Sequence, residues 1–427
     1  MENTKTYEYA KMCLEFIEKS VSSFHAVSEA EVRFQKSGFT ELKETDAWML
    51  LPGCSYYVKR NASSLIAFRL PKEEIHGFHI VASHSDSPCF KVKTGSEICL
   101  EKAYTKLNVE PYGGMLYGTW FDRSLSVAGR LLCRKGEDIR EVNVCIDEDL
   151  LVIPSLAIHM NREANKGMEY SPQVDLLPMM CSGDKKGALK EKLAEAAGVK
   201  AQDILGSDLF LYVREKGKLL GAEGEWMLSP RLDDLECVYA SMEALLQTTP
   251  ESYCSMCAVF DNEEVGSHTR QGAASTFLKD TLERIEEALN KKQSEYLRLL
   301  ADSFMISADN AHGLHPNHPE KADPVNRPLL NGGIVIKHHG GQKYTTDGVS
   351  EAYVRMLCEK AEVPCQDYTN RSDIPGGSTL GNISAGQVSV KAADIGLAQL
   401  AMHSAVETAG SKDVEYLVKV CKCFFEK

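Results

Sequence analysis

The sequence predicts an α/β fold: a sheet covered by helices on both faces and interrupted by an inserted, mostly β domain. Three observations predict it. Apolar runs at 78–82, 256–260, 304–308 and 334–337 each end at polar residues, as strands of a parallel sheet buried on both faces do. Helical patterns at 234–246, 274–288, 349–361 and 414–423 alternate with such runs, the order that lays helices above and below a sheet. Between about Lys91 and Trp226 this rhythm gives way to short alternating stretches and turn residues, the signature of an antiparallel β domain. The expected divisions are 1–90 and 229–427 for a discontinuous α/β domain and 91–228 for the insert.

Each element has a local reason. Residues 1–20 place Tyr7, Ala10, Leu14 and Ile17 on one side of a helix and lack the basic segment and apolar core of a leader. The run 78–82 leads to Ser83 and His84. Within the insert, alternation at 91–93, 209–213 and 218–220 is punctuated by Tyr112-Gly113-Gly114, Gly118 and Pro154, and 188–197 reads as a charged, exposed helix. The helix 234–246 begins behind Asp233 and Asp234, and carboxylates suit a helix N-terminus. The run 256–260 leads to Asp261-Asn262-Glu263-Glu264, 304–308 to Asp309, and 334–337 ends on Lys337. In open α/β sheets ligands gather at the carboxyl ends of strands, so the polar residues that end these runs are the candidate site.

Composition narrows the function classes. The 427 residues are 43% hydrophobic and 26% charged, with a formal charge of -13. That is ordinary globular material, long enough for roughly two to three domains. The acidity argues against a nucleic-acid binder, which needs a basic face, and against an anionic membrane surface. No apolar run reaches the ~20 residues of a membrane span. The 14 cysteines are scattered, unlike the dense framework of a small secreted domain, and a reduced, cytoplasmic protein is expected. Cys254-x-x-Cys257 has redox or zinc-site spacing, but it lies inside a strand-like run with no second pair, and buried structural thiols are expected there. The glycines at 376 and 377 are followed by no Gly-Lys-Ser/Thr, so a phosphate loop is excluded.

Adjacent glutamates offer carboxylates with separable jobs, one holding a metal while its neighbour moves a proton. An isolated Glu-Glu is ordinarily a surface pair, a lone His a surface or core residue, and Asp233 a helix cap. Here these groups recur together at predicted strand ends and helix starts. Two metal ions about 3.5–4 Å apart need a bridging carboxylate with His and carboxylate ligands on either side. His84, Asp233, Glu264, Asp309 and His403 make up such a set, and Glu263 is the candidate general base. Nitrogen and oxygen donors without thiolate suit zinc, with manganese or cobalt as alternatives. Asp86, two residues beyond His84, is placed to accept the imidazole N–H.

Five strings carry a resemblance: Ser83-His84-Ser85-Asp86-Ser87-Pro88-Cys89, Ser229-Pro230-Arg231-Leu232-Asp233-Asp234-Leu235, Phe260-Asp261-Asn262-Glu263-Glu264-Val265-Gly266-Ser267, Asp309-Asn310-Ala311-His312-Gly313-Leu314-His315-Pro316-Asn317 and Ala401-Met402-His403-Ser404. In this order, and nearly end to end, the chain resembles the M18 metallo-aminopeptidases, the aspartyl aminopeptidase family. It is more similar to the bacterial branch, because Gly376 stands where the eukaryotic aspartyl branch commonly has Cys.

The resemblance implies a zinc-peptidase-like three-layer α/β/α catalytic domain with an inserted β-rich oligomerisation domain. It implies that His84 and Asp309 bind one ion, Glu264 and His403 the other, that Asp233 bridges them, that Glu263 is the base, and that Asp86 orients His84. A grouping of His84, His159 and His403 as three zinc ligands is the less favoured alternative, because adjacent cations need anionic ligands to offset their repulsion. His159 matches a histidine that reaches a neighbouring subunit's site and assists the substrate carbonyl; as a residue on its own it reads as a buried His in an apolar β segment. Lys337 matches a lysine near the substrate side-chain pocket, whereas by itself it reads as a solvated strand-end lysine. The implied activity is removal of the N-terminal residue, Asp or Glu among the expectations, from peptides through a metal-bound water and the Glu263 base. The implied assembly is a tetrahedral dodecamer. Two alternatives stay open: a dinuclear-metal amidase or deacylase, and a non-catalytic assembly or cargo protein that retains the fold.

Overall fold

The computed structural model describes residues 7–427. The chain forms two compact units. One is built from the chain up to Asp86, Gly217–Met402 and Glu407–Lys427, the other from Ser87–Lys216 and His403–Val406. The part of the predicted N-terminal helix before Tyr7 lies outside the described residues; the remainder is the helix Glu8–Lys19.

The first unit is organised on a nine-stranded sheet. Its order is Thr40–Leu42, Ser55–Arg60, Ser64–Arg69, Cys254–Phe260, Phe78–His84, Phe304–Ala308, Lys391–Gly396, Ile334–His338 and Cys365–Thr369. The four strands from Cys254–Phe260 to Lys391–Gly396 run parallel. Every residue of Phe78–His84 and Cys254–Phe260 is buried, because alternate side chains enter two different cores. Met256, Ala258 and Phe260 join Ile80 and Ala82 under the helices Phe277–Ala288 and Gln293–Asp302. Cys257 and Val259 join Val81 and Ile306 under Glu8–Lys19, Leu232–Gln247 and Asp413–Phe425. Helices thus cover both faces.

Ile334–His338 departs from the expectation of a parallel strand on one side. It is parallel to Cys365–Thr369 but antiparallel to Lys391–Gly396. An apolar run buried on both faces reads the same in either direction, so its composition could not reveal this. A second, five-stranded sheet in this unit runs Lys218–Leu220, Trp226–Ser229, Glu407–Gly410, Ala398–Leu400, Ala311–His312. Lys218–Leu220, expected in the insert, therefore belongs to the first unit.

The second unit holds a six-stranded antiparallel sheet in the order Asp138–Cys145, Leu125–Lys135, Ile204–Val213, Cys89–Leu100, Tyr104–Tyr112, Met179–Ser182. The helix Ala188–Ala197 lies where its pattern placed it. Gly129 sits where Leu125–Lys135 meets Ile204–Val213: a Cβ there would lie 2.0 Å from the Asp208 carbonyl oxygen, and its φ is +153°.

Candidate active site

The site grows from the ends of the parallel strands. His84 closes Phe78–His84, Asp261 follows Cys254–Phe260, and Asp309 follows Phe304–Ala308. Asn262, with a left-handed φ of 63°, turns the chain so that Glu263 and Glu264 open a short 3-10 turn. Asp233 and Asp234 precede the regular part of Leu232–Gln247 with non-helical dihedrals, and the bond between them is cis.

His84 is the centre of this arrangement, 1% exposed. Donor atoms of His84, Asp234 and Asp309 lie within 4.8 Å of one another, and so do those of His84, Glu263 and Glu264. His84 Nε2 stands 3.5 Å from Asp233 Oδ1 and 3.8 Å from Asp309 Oδ1. Those gaps exceed a good N–H···O bond, yet two donors each ~2.1 Å from zinc at a tetrahedral angle are ~3.4 Å apart. The donor set therefore fits a shared divalent ion. Its electrostatics point the same way. Burial would lower the His84 pKa, but Asp233, Asp234, Asp309 and Asp86 together push it well above the ordinary value. Burial drives the Asp234 carboxyl well up, with Asp309 and Asp233 adding to the shift against His84. Asp86, Asp233, Asp234 and Asp309 are all buried around His84 and outnumber the cations His84 and Lys337 can offer, an excess of negative charge that metal ions would offset.

Glu263 is pushed up to about 7, chiefly by burial; His84 opposes the shift, and Asp309, Asp86 and Asp233 reinforce it. Burial and the neighbouring carboxylates thus favour the protonated form of Glu263. Asp86 divides its duties differently from the expectation. Its main-chain oxygen accepts from His84 Nδ1 at 3.1 Å, while its carboxylate, 3.5 Å from that nitrogen, takes the backbone N–H groups of Glu263 and Glu264 at 3.1 and 3.2 Å. The side chain thus clamps the two-glutamate turn.

Lys337 is no solvated lysine. It is 2% exposed, with Nζ 3.5 Å from Asp309 Oδ2 and 5.6 Å from the centre of the Tyr344 ring. Burial works against its charge, but Asp309, Tyr344 and Asp394 outweigh burial and raise its pKa. His159 is likewise not in a buried β segment. It lies in an exposed turn of the second unit beside exposed Leu156, Ile158 and Met160. His403 belongs to the second unit, where its Nδ1 is 2.9 Å from the Gly114 oxygen and its carbonyl accepts from Leu116 N–H at 2.9 Å. Cys254 and Cys257 are buried free thiols; Cys257 lies 3.3 Å from Ser241 Oγ.

Four supporting residues escaped the sequence. Asp234 accepts the His84 backbone N–H at 3.0 Å. Glu407 accepts that of Asp233 at 3.1 Å. Asn310 donates to the fully buried Glu236. Asp234 and Asn310 adjoin candidate ligands in sequence, a usable signal; Glu236 and Glu407 had none.

The family model described as aminopeptidase I zinc metalloprotease (M18) matches residues 16–425. The chain is 44% identical to a probable M18 family aminopeptidase 2 of Clostridium novyi, with 98% of each chain covered. It also resembles the crystal structure of yeast aminopeptidase 1, at TM-score 0.87 and 30% identity over 98% of this chain and 97% of that one. The S. cerevisiae mApe1 dodecamer is similar at TM-score 0.86 and 30% identity, covering 98% and 96%. Motif, fold and near-complete match agree, and the chain belongs to the M18 family as a metal-dependent aminopeptidase.

Proposed function

We propose that the protein holds two zinc ions, His84 and Asp309 on one, Glu264 and His403 on the other, Asp233 between them. The observation that carries this is the buried His84 imidazole, spaced 3.5 and 3.8 Å from two carboxylates. The set for the second ion rests on the family motifs around Glu264 and His403. When bound, such ions polarise a carbonyl and acidify water. Glu263 takes the water's proton and returns it to the departing amine, and Asp86 keeps Glu263 in place by holding its backbone N–H. His159 assists the substrate carbonyl in a neighbouring copy, which suits its exposed turn flanked by apolar residues.

Lys337 favours an acidic first residue. Since Asp309 already partners it, we expect a several-fold preference for Asp or Glu over Leu rather than an absolute one. The inserted unit, 91–228 in the sequence reading, serves assembly into a tetrahedral dodecamer, as the dodecameric relative suggests. A cytoplasmic setting fits the free cysteines; no helix among the described residues is long and apolar enough to cross a membrane.

The test is a panel of aminoacyl chromogenic amides and their N-acetylated counterparts, with metal-loaded and chelated protein. Chelator-sensitive release from free-amine substrates alone is expected. Equal cleavage of acetylated substrates would transfer the site to an amidase.

A further inference from the structure

Glu263 and Glu264 follow a turn of the chain at Asn262, whose backbone is left-handed at φ 63° and ψ 26°. Asn adopts that conformation at lower cost than most residues, because its short polar side chain can hydrogen-bond locally. Here the side chain is also gripped. Its amide oxygen accepts from Thr269 Oγ1 and from Gln271 Nε2, each at 2.7 Å, which occupies both lone pairs of that oxygen. Its main-chain oxygen accepts the Ser267 N–H at 2.8 Å. The segment 262–271 therefore closes on the residue that precedes the candidate base.

Gln271 ties this closure to the sheet. Its main-chain oxygen accepts from the hydroxyl of Ser64, at the start of the strand Ser64–Arg69, at 2.7 Å. The next residue, Gly272, passes so close to Ser267 that a Cβ on it would lie 2.2 Å from the Ser267 oxygen. Asp86 holds the turn from another side, through the N–H groups of Glu263 and Glu264. The two holds differ in what they fix. Asp86 takes the turn itself, whereas Gln271 and Thr269 take the residue whose dihedrals set the direction in which the turn leaves the strand. A neutral acceptor suits that position, which lies between Asp261 and Glu263; a carboxylate there would add a like charge.

Resting on the reading of Glu263 as the base, we propose that Gln271 and Thr269 are positioning residues for the reaction: by gripping the Asn262 amide they fix the left-handed turn that aims the Glu263 carboxylate at its proton. Both act through Asn262 rather than on the reacting atoms. A general base must come within hydrogen-bond reach of the proton it takes, so a loosened turn costs turnover. The loss belongs in kcat rather than KM, because the contact that fails is one made in the transition state.

The experiment measures kcat and KM with aspartyl and leucyl p-nitroanilides, together with metal content and melting temperature, on the full-length, metal-loaded protein. Gln271→Met, similar in size but without the donor, should lower kcat roughly 10–100-fold, the scale of a misplacement of about 1 Å, with KM and metal content little changed. Thr269→Val should lose kcat in the same way, and Thr269→Ser, which keeps the hydroxyl, should restore it. Thr269 is exposed, so this pair carries the test if Gln271→Met does not fold. Asn262→Gly accepts the left-handed backbone but offers no amide. It should match the loss, and adding Gln271→Met to it should cost nothing further. Full kcat per metal-loaded molecule in Gln271→Met and Thr269→Val, whatever their melting temperatures, would overturn the proposal. So would additive losses in the double variant, or metal lost in proportion to activity, which would make the grip a support of Glu264 instead. Glu263→Gln alongside separates the two readings. Full turnover there would remove the base and this proposal with it, whereas an inactive Glu263→Gln beside a fully active Gln271→Met would remove the proposal alone.

Discussion

Glu263 and Lys337 are the residues whose replacement should separate chemistry from selectivity. Glu263→Gln keeps the shape and the Asp86 clamp on the backbone but cannot take a proton. Its kcat should fall by ~10²–10⁴-fold with metal content retained, a pair of results that steady-state assays and elemental analysis would give. Lost metal with lost activity would instead make Glu263 a structural residue. Lys337→Met removes a buried cation from Asp309, 3.5 Å away. The rate ratio of Asp to Leu substrates should drop toward one; a ratio that stays put would remove Lys337 from specificity. At this scale the sequence was most informative for residues that end apolar runs. His84, Asp309 and the Glu263-Glu264 pair were legible there, whereas the burial of Lys337 and the exposure of His159 depend on neighbours distant in the chain.

Strands decide how tightly those residues are held. Gly396 ends Lys391–Gly396 opposite Asp309, and a Cβ on it would lie 1.8 Å from the Asp309 oxygen and 3.1 Å from Lys337 Cε. Gly396→Ala should lower the melting temperature and the metal stoichiometry together, since overpacking costs about 1–3 kcal/mol; a wild-type melting curve with full metal content would refute this. On Phe78–His84, His79 is sandwiched between Tyr253 and Phe424 at 4.0 and 4.2 Å and shares a 2.7 Å contact with the Phe424 oxygen. Burial lowers its pKa from 6.5 to about 4, and burial likewise lowers that of His25, with Arg231 adding to the effect. Both folded values lie below the unfolded one, so their stabilisation is complete above pH 6.5 and drains away as the pH falls toward 4. Denaturant titrations should show a loss on the order of 3 kcal/mol per histidine across that window, reduced when His79→Phe removes one of the two. Helices and central strands were readable because burial on both faces leaves an unbroken apolar run. The direction of Ile334–His338 against Lys391–Gly396 was not, and neither were the strands Thr40–Leu42, Ser55–Arg60 and Ser64–Arg69 that extend the sheet to one edge.

For the molecule as a whole, metal and assembly are the large effects. Chelation should lower the melting temperature, because a ligand bound only by the folded state stabilises it by mass action; an unchanged transition would argue against ions held by buried carboxylates. Light scattering should return twelve times the 47.2 kDa chain mass, and Leu156→Asp with Met160→Asp in the exposed turn around His159 should reduce it. A monomer at micromolar concentration would remove the dodecamer.

By itself the sequence determined the α/β class and offered an insert and a candidate metal-binding inventory, because burial pattern and residue chemistry are local properties written in composition and spacing. Only the tertiary structure decided what surrounds each group. It gave Asp86 the clamp on Glu263 and Glu264 beside its contacts with the His84 imidazole, drew Asp234 and Glu407 in as supports, and buried Lys337 against Asp309. Those outcomes depend on which distant strands become neighbours, and a charge or an amide acquires its role from the groups within a few ångströms of it, wherever in the chain they lie.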